Sequence, residues 1–342
     1  MSKWQGVYDN ISNSPINMNS FNIDFFEEYD DGEEIPNTFS ILTYNIWGLS
    51  INDNLKKLFS LRKDMIELTI RNSNADLVCI QEMSDYSYNL LSNLVNEYKY
   101  ASEKPYIKQI NRKRNADVYF MSKFKPSKIT IYGLPGILCY NNSMCVVEYK
   151  NLIVFNLYLQ SGTKKSPGQA NSWIHFSNCR HSLLQLIYNI IISYQNHNKN
   201  IVLCGDFNFD LDGSADEWPE IEIINKLKNY GFIDTFKYIN PNIDCFTEDT
   251  DKNFLRWNLK LIEKKYKFDA IFYKSIDNSN VIKSSIVGDD VLFLNYQDSD
   301  WFINIMSDAN GNYNKLKGID NCSLIPINPS DHFGILTKIS KN

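Results

Sequence analysis

Several apolar runs of this chain end on polar side chains able to hold a metal ion or move a proton. Ser40-Ile41-Leu42-Thr43-Tyr44 leads into Asn45, and Leu77-Val78-Cys79-Ile80 into Gln81 and Glu82. Ile201-Val202-Leu203-Cys204-Gly205 leads into Asp206, with Asn208 two positions on, and Ser330, Asp331 and His332 open the last apolar run. A strand entering a hydrophobic core gains nothing from finishing repeatedly in carboxylates and amides. Strand-end loops of layered α/β folds converge on a crevice, where such groups have work to do. Hard oxygen donors without thiolates suit Mg²⁺ or Mn²⁺ better than Zn²⁺. A histidine beside such an ion serves as acid or base, or stabilises charge developing on phosphorus. Each motif alone has an ordinary reading: G-D-x-N as an Asx turn, Q-E as a helix cap. All four in one chain, in this order, outweigh those ordinary readings and point to a divalent-metal site with an acid/base histidine.

The elements that must position these groups read out of hydrophobic periodicity. Strands are expected over FSILTYNI (39–46), DLVCIQ (76–81), DVYFMS (117–122), KITIYG (128–133), MCVVEY (144–149), LIVFNLYL (152–159) and NIVLCGD (200–206). KFDAIFYK (267–274), NVIKSSIV (280–287) and FGILTKI (333–339) are the late strands. Helical spacing runs from Leu55 to Ile70, Tyr86 to Val95, His175 to Tyr194 and Glu220 to Asn229, the last closed by Gly231. The links near Asn141 and Lys150 are too short for helical crossovers, so the strands they join should pair antiparallel. The pattern predicts two mixed sheets packed face to face with helices outside.

Residues 1–37 differ from the rest. They carry Asn, Ser and an acidic run (Glu27, Glu28, Asp30, Asp31, Glu33, Glu34) without sustained periodicity, and read as a flexible or loosely docked N-terminal arm ahead of one catalytic body over 38–342. A net charge of −5 excludes a protein that coats nucleic acid through a general lysine and arginine excess. Any polyanion needs a local patch. Lys104, Lys108, Arg112, Lys113 and Arg114, and Lys164 with Lys165, are the candidates. The seven cysteines include no C-x-x-C pair, and no basic segment leads into an apolar run at the N-terminus. No transmembrane stretch is expected, and the reading is an intracellular monomer, cytoplasmic or nuclear rather than secreted.

TYNIWG (43–48), IQE (80–82), GDFN (205–208), FDAIF (268–272) and SDHFG (330–334) resemble the ordered motifs of the endonuclease/exonuclease/phosphatase superfamily, the DNase I-like fold, over about residues 39–340. Its members include abasic-site endonucleases, neutral sphingomyelinases, inositol polyphosphate 5-phosphatases and tyrosyl-DNA phosphodiesterase 2. The resemblance implies a four-layered α/β sandwich with two central, mainly antiparallel sheets. It implies that Glu82 is the principal Mg²⁺ (or Mn²⁺) ligand, with Asn45 beside it and Asp331 supporting the metal or the histidine loop. Asp206 would align or deprotonate the attacking water, Asn208 hold the phosphate, His332 contact the scissile phosphate, and Asp269 orient the imidazole. Two positions depart from the pattern. The strand before the long helix usually ends in a histidine, where this chain has Tyr158, as abasic-site enzymes do; Tyr158 would donate to a phosphate oxygen. Trp47 stands where abasic-site and tyrosyl-DNA enzymes carry an aspartate, as in sphingomyelinase-like members. The expected activity is a Mg-dependent phosphodiesterase acting on DNA, RNA or a DNA-end adduct. The alternatives are a sphingomyelinase-type lipid phosphodiesterase with peripheral membrane contact, and a catalytically inactive binding protein on the same fold.

Overall fold

A computed structural model describes residues 22–50, 52–102, 117–134, 142–162, 173–256, 263–295 and 324–341. The strands in chain order are β1 (Asn22–Glu28), β2 (Thr38–Gly48), β3 (Leu77–Met83), β4 (Tyr100–Ala101), β5 (Asp117–Ser122), β6 (Lys128–Leu134), β7 (Asn142–Glu148), β8 (Leu152–Tyr158) and β9 (Asn200–Asp206). They continue with β10 (Ile233–Asp234), β11 (Glu248–Asp249), β12 (Lys265–Tyr266), β13 (Asp269–Lys274), β14 (Asn280–Val287), β15 (Leu292–Asn295), β16 (Leu324–Ile327) and β17 (Gly334–Ser340). The helices are α1 (Asp53–Ser73), α2 (Asp85–Leu90), α3 (Ser92–Val95), α4 (Trp173–Ser193), α5 (Ile221–Asn229) and α6 (Thr235–Ile239).

Two large sheets form the centre, ordered β1-β6-β7-β8-β9-β13-β10 and β14-β17-β2-β3-β5-β4. Each is antiparallel except for one parallel pair, β8–β9 in the first and β2–β3 in the second. Parallel neighbours need a crossover, and α4 and α1 supply one each. The short links produce antiparallel pairs, β6–β7 and β7–β8, as their length requires. Apolar packing fills three spaces. Ile41, Cys79, Phe120, Val147, Val154 and Ile271 meet between the sheets. Phe155, Leu203 and Phe272 pack against Leu183, Ile187 and Ile224 of α4 and α5, and Leu42, Val78 and Tyr119 against Phe59, Ile66 and Ile70 of α1. The result is the four-layered α/β sandwich, with helices outside both sheets. No described helix is long and apolar enough to cross a membrane.

Local signals explain the crossover helix α1. Asn52 caps it by accepting from the Leu55 amide (2.9 Å), and Asn74 closes it in the left-handed region at φ 47°. Leu58, Arg62, Ile66 and Ile70 recur at helical spacing on its buried face.

Two expectations are corrected. Part of the acidic arm is sheet: β1 pairs antiparallel with β6, from Asn22↔Gly133 to Glu28↔Lys128. Beyond it, Ile35 is buried and exchanges hydrogen bonds with the Asn151 side chain, 2.8 Å each way. The charges that made the segment read as a solvated tail suit an edge strand, where they discourage pairing with another chain. Residues 1–21 lie outside the described residues. The helix expected over Tyr86–Val95 is two short ones, α2 and α3, meeting at Leu91 with φ −94° and ψ 10°.

Candidate active site

Both crossovers deliver their strand ends to one end of the space between the sheets. In the second sheet β2 and β3 run side by side with Asn45 opposite Gln81. In the first, Tyr158 lies opposite Asp206, and Asp206 opposite Asp269. Side chains then bridge the sheets. Asn45 Nδ2 donates to Asp206 (2.9 Å) and to Glu82 (3.2 Å), the Tyr158 hydroxyl to Glu82 Oε1 (2.8 Å), and Gln81 Nε2 to Asn156 (2.6 Å). In a regular strand Gln81 and Glu82 would point to opposite faces. Both reach residues of the other sheet because Glu82 adopts φ 58°, at a register shift between β3 and β5. Trp47 (φ 45°) and Asn208 (φ 58°) are left-handed too. Such backbone costs roughly 1–3 kcal/mol per residue and concentrates where side chains must be re-aimed.

His332 and Asp269 form a buried pair, Nδ1 to Oδ2 at 2.8 Å. That bond leaves Nε2 as the nitrogen available to a substrate. Burial alone would push the imidazole pKa down, but Asp269, then Asp206, hold it well above the ordinary histidine value, so the ring is charged at neutral pH. Burial and then Asp269 push Asp206 well above the usual carboxylate range. Its position is fixed by the Asn208 amide N–H (2.8 Å) and Nδ2 (3.2 Å).

The cleft is crowded with acids, and burial followed by Asp331 raises the Glu82 carboxyl as well. Glu82 Oε2 is buried without a hydrogen-bond partner. A buried carboxylate oxygen left unpaired is costly, and a divalent cation would both satisfy it and relieve the mutual repulsion. The donor set therefore fits a hard cation at Glu82. Asn45, as it stands, faces Glu82 and Asp206 with its nitrogen, while its oxygen accepts from the Trp47 amide (2.9 Å). Asp331 is engaged by Arg256 (2.6 Å). Asp206, Asp269 and His332 present ligand atoms all within 4.8 Å of one another and could also hold an ion. Within that trio the His332 nitrogen and an Asp269 oxygen already satisfy each other.

Two further expected residues are placed by hydrogen bonds. Tyr158, expected to donate to a phosphate oxygen, donates here to Glu82. Asn208, expected to hold the phosphate, donates from its amide nitrogen to the Leu159 carbonyl (2.9 Å) and to Asp206. The lysines and arginines of 104–114, and Lys164 and Lys165, lie outside the described residues.

Further residues support these side chains. The segment from Thr247 to Arg256 ties the His332–Asp269 pair together. Thr247 Oγ1 accepts from the Asp269 amide (3.0 Å), its carbonyl accepts from Phe333 N (2.9 Å), and Asn253 donates to Ser330 O (2.8 Å). Arg256 sits between Asp331 and buried Glu248. Gly205, just before Asp206, has φ +135°, and a Cβ there would fall 2.0 Å from the Leu157 carbonyl oxygen. Gly205→Ala is expected to cost about 3 kcal/mol or more, read as a lower urea midpoint. A midpoint equal to wild type would show that the β8–β9 pair tolerates the wider spacing.

The chain matches a family model described as "Endonuclease/Exonuclease/phosphatase family" over residues 42–277. Among solved structures it is similar to TDP2 of D. rerio, complexed with a single strand DNA product (TM-score 0.59, 17% identity, 90% of this chain and 100% of that one). It is similar to SmcL (TM-score 0.60, 14% identity, 90% and 100%). Truncated Caenorhabditis elegans TDP2 is a third (TM-score 0.56, 17% identity, 89% and 98%). No curated protein matches the chain in sequence.

Proposed function

Because the chain belongs to the endonuclease/exonuclease/phosphatase family, whose members hydrolyse phosphate esters, we propose that it is a Mg²⁺- or Mn²⁺-dependent phosphodiester hydrolase acting on nucleic acid or a DNA-end adduct. One observation carries the reading: a carboxylate with an unpartnered oxygen, Glu82, faces the same cleft as the charged His332–Asp269 pair. When bound at Glu82, with Asn45 and Asp331 beside it, the cation supplies Lewis-acid polarisation of a phosphoryl oxygen. His332 donates from Nε2 to an oxygen of the phosphate as negative charge grows there. Asp206, whose proton affinity burial raises, takes the proton of the attacking water as the P–O bond to the leaving group breaks and solvent protonates the departing oxygen. Asn208 holds Asp206 still, and Tyr158 and Asn45 hold Glu82. A binding protein without catalysis would have no need of this assembled set.

Nucleic acid is favoured as substrate because a TDP2 of the same fold is bound to a single strand DNA product. A lipid reading has one observation behind it. β15 and β16 form a two-stranded antiparallel ribbon that sequence reading missed, and Phe293 on it is 58% exposed. A sphingomyelinase-type enzyme needs such an apolar rim to reach a bilayer.

The test is a panel of DNA, RNA, 5′-tyrosyl-DNA, sphingomyelin vesicles and inositol phosphates with Mg²⁺. Turnover is expected on a nucleic-acid substrate. Binding should weaken steeply with salt, by a logarithmic slope of roughly 0.7–0.9 per neutralised phosphate. Lys164→Glu with Lys165→Glu should abolish that binding. Salt-insensitive cleavage of vesicles, with no DNA or RNA turned over, would reverse the order of the two readings.

A further inference from the structure

Arg62 lies inside α1 with its side chain almost wholly out of solvent, 1% exposed. No carboxylate among the described residues pairs with it. Burial pulls its pKa down to about 10, which leaves it charged at neutral pH. Its donors go to backbone carbonyls of three segments. Nε reaches Leu58 of its own helix (3.2 Å). Nη1 reaches Ile46 (3.3 Å) and Nη2 reaches Trp47 (3.0 Å), the two residues after Asn45. Nη1 also reaches Pro329, the residue before Ser330-Asp331-His332. The guanidinium lies 5.3 Å from the Trp47 ring centroid, against the left-handed turn at that residue. A second tie joins the same two segments: Ser330 Oγ donates to the Asn45 carbonyl (2.7 Å).

A buried guanidinium with no carboxylate in direct contact is a costly way to satisfy carbonyls in a scaffold. The other crossover shows a cheaper version. Arg180 of α4 donates to Gln160 O (2.9 Å) and Gly162 O (2.8 Å), in the loop after Tyr158, and is balanced by buried Glu220 at 2.8 Å. Both crossover helices thus use an arginine to hold the loop after a site-bearing strand. Arg62 alone of the two also reaches the loop that carries His332, and the acids that act on it, Asp331 and Glu82, do so through space without an ion-pair contact among the described residues.

We infer that Arg62 is a positioning residue for phosphoester hydrolysis, a clamp that sets the Asn45 side of the cleft against the His332 side. The inference rests on the functional reading above. A planar guanidinium can span carbonyls on separate segments from three nitrogens. A lysine offers all its donors from one atom and cannot. Misplacement of a reacting group by about 1 Å can cost about a hundredfold in rate.

The experiment is a double-mutant cycle of Arg62→Lys and His332→Ala in the full chain, read on bis-nitrophenyl phosphate with Mg²⁺, with circular dichroism to measure the folded fraction. Arg62→Lys is expected to stay folded, to keep KM within about threefold and to lose about a hundredfold in kcat. The double variant should lose at least about tenfold less than the product of the two single losses, because a clamp has little left to position once the imidazole is gone. A strictly multiplicative double loss, or a folded Arg62→Lys with wild-type kcat, overturns the clamp and leaves the hydrolase reading standing. Loss of fold in both Arg62→Lys and Arg62→Met also overturns it, making Arg62 a strut of the core. Full activity of His332→Ala sinks the role given to His332 and the clamp with it, whereas absence of metal-dependent hydrolysis by the wild-type chain sinks the hydrolase reading itself.

Discussion

Replacing His332 by alanine is expected to lower turnover by at least about a hundredfold, with the fold retained, on whichever substrate the panel identifies. His332 stands at the intersection of three constraints. Its Nδ1 is fixed by Asp269 at 2.8 Å, its charge is held by Asp269 and Asp206, and its backbone is carried on a loop tied down by Arg62 and Asn253. An ordinary core histidine would need none of these. Removal deletes the only imidazole in the cleft among the described residues, so no neighbour can take over its Nε2 proton. Asp269→Asn should cost less. The amide can still accept from Nδ1–H and keep the ring in place, while the negative charge that favours imidazolium is lost. The measurement is kcat for the two variants side by side. An Asp269→Asn loss equal to or larger than that of His332→Ala would mean that the charge on Asp269, rather than the ring it orients, carries the chemistry.

How far the site was legible in the sequence follows from how each residue is held. Asn45, Glu82 and Asp206 were visible because each closes an apolar run at or near the end of a strand, and strand ends in a layered fold share a crevice. The two parallel pairs then fix which ends meet, since Asn45 opposite Gln81 and Tyr158 opposite Asp206 are register facts that strand limits nearly determine. What escaped has no such pattern. Arg62 looks like any charged residue of an amphipathic helix, and its function lies in carbonyls as far away in sequence as Pro329. The committed proton of Tyr158 and the inward turn of Glu82 depend on a positive φ that residue type does not announce in a non-glycine. β1 was hidden by its acids, because a solvated tail and a protected edge strand favour the same composition.

Stripping the metal should silence the enzyme, and Glu82→Gln should come close to doing so. With excess EDTA, turnover is expected to fall to background and to return on adding Mg²⁺ or Mn²⁺, the ions that hard oxygen donors select. Glu82→Gln preserves the shape of the side chain and so should leave the strand end intact. It removes the charge that the acid-rich cleft offers a cation, and it fills the place of the unpartnered Oε2 with an amide. Half-saturating metal should rise and kcat should fall, each by about tenfold to a hundredfold or more. Tyr158→Phe separates the two effects. It leaves the Glu82 charge in place and removes only the hydroxyl that orients Oε1. It should therefore weaken metal binding by a smaller factor, within the about tenfold to hundredfold range of an outer supporting contact, and leave kcat at saturating metal near wild type. Mn²⁺ titration followed by electron paramagnetic resonance reads the affinity without reference to any substrate. If Glu82→Gln binds Mn²⁺ as tightly as wild type, the cation sits elsewhere, and the Asp206–Asp269–His332 trio becomes the place to look. Full turnover in EDTA would remove the ion from the mechanism and leave Asp206 and His332 to carry the reaction as a base and acid alone.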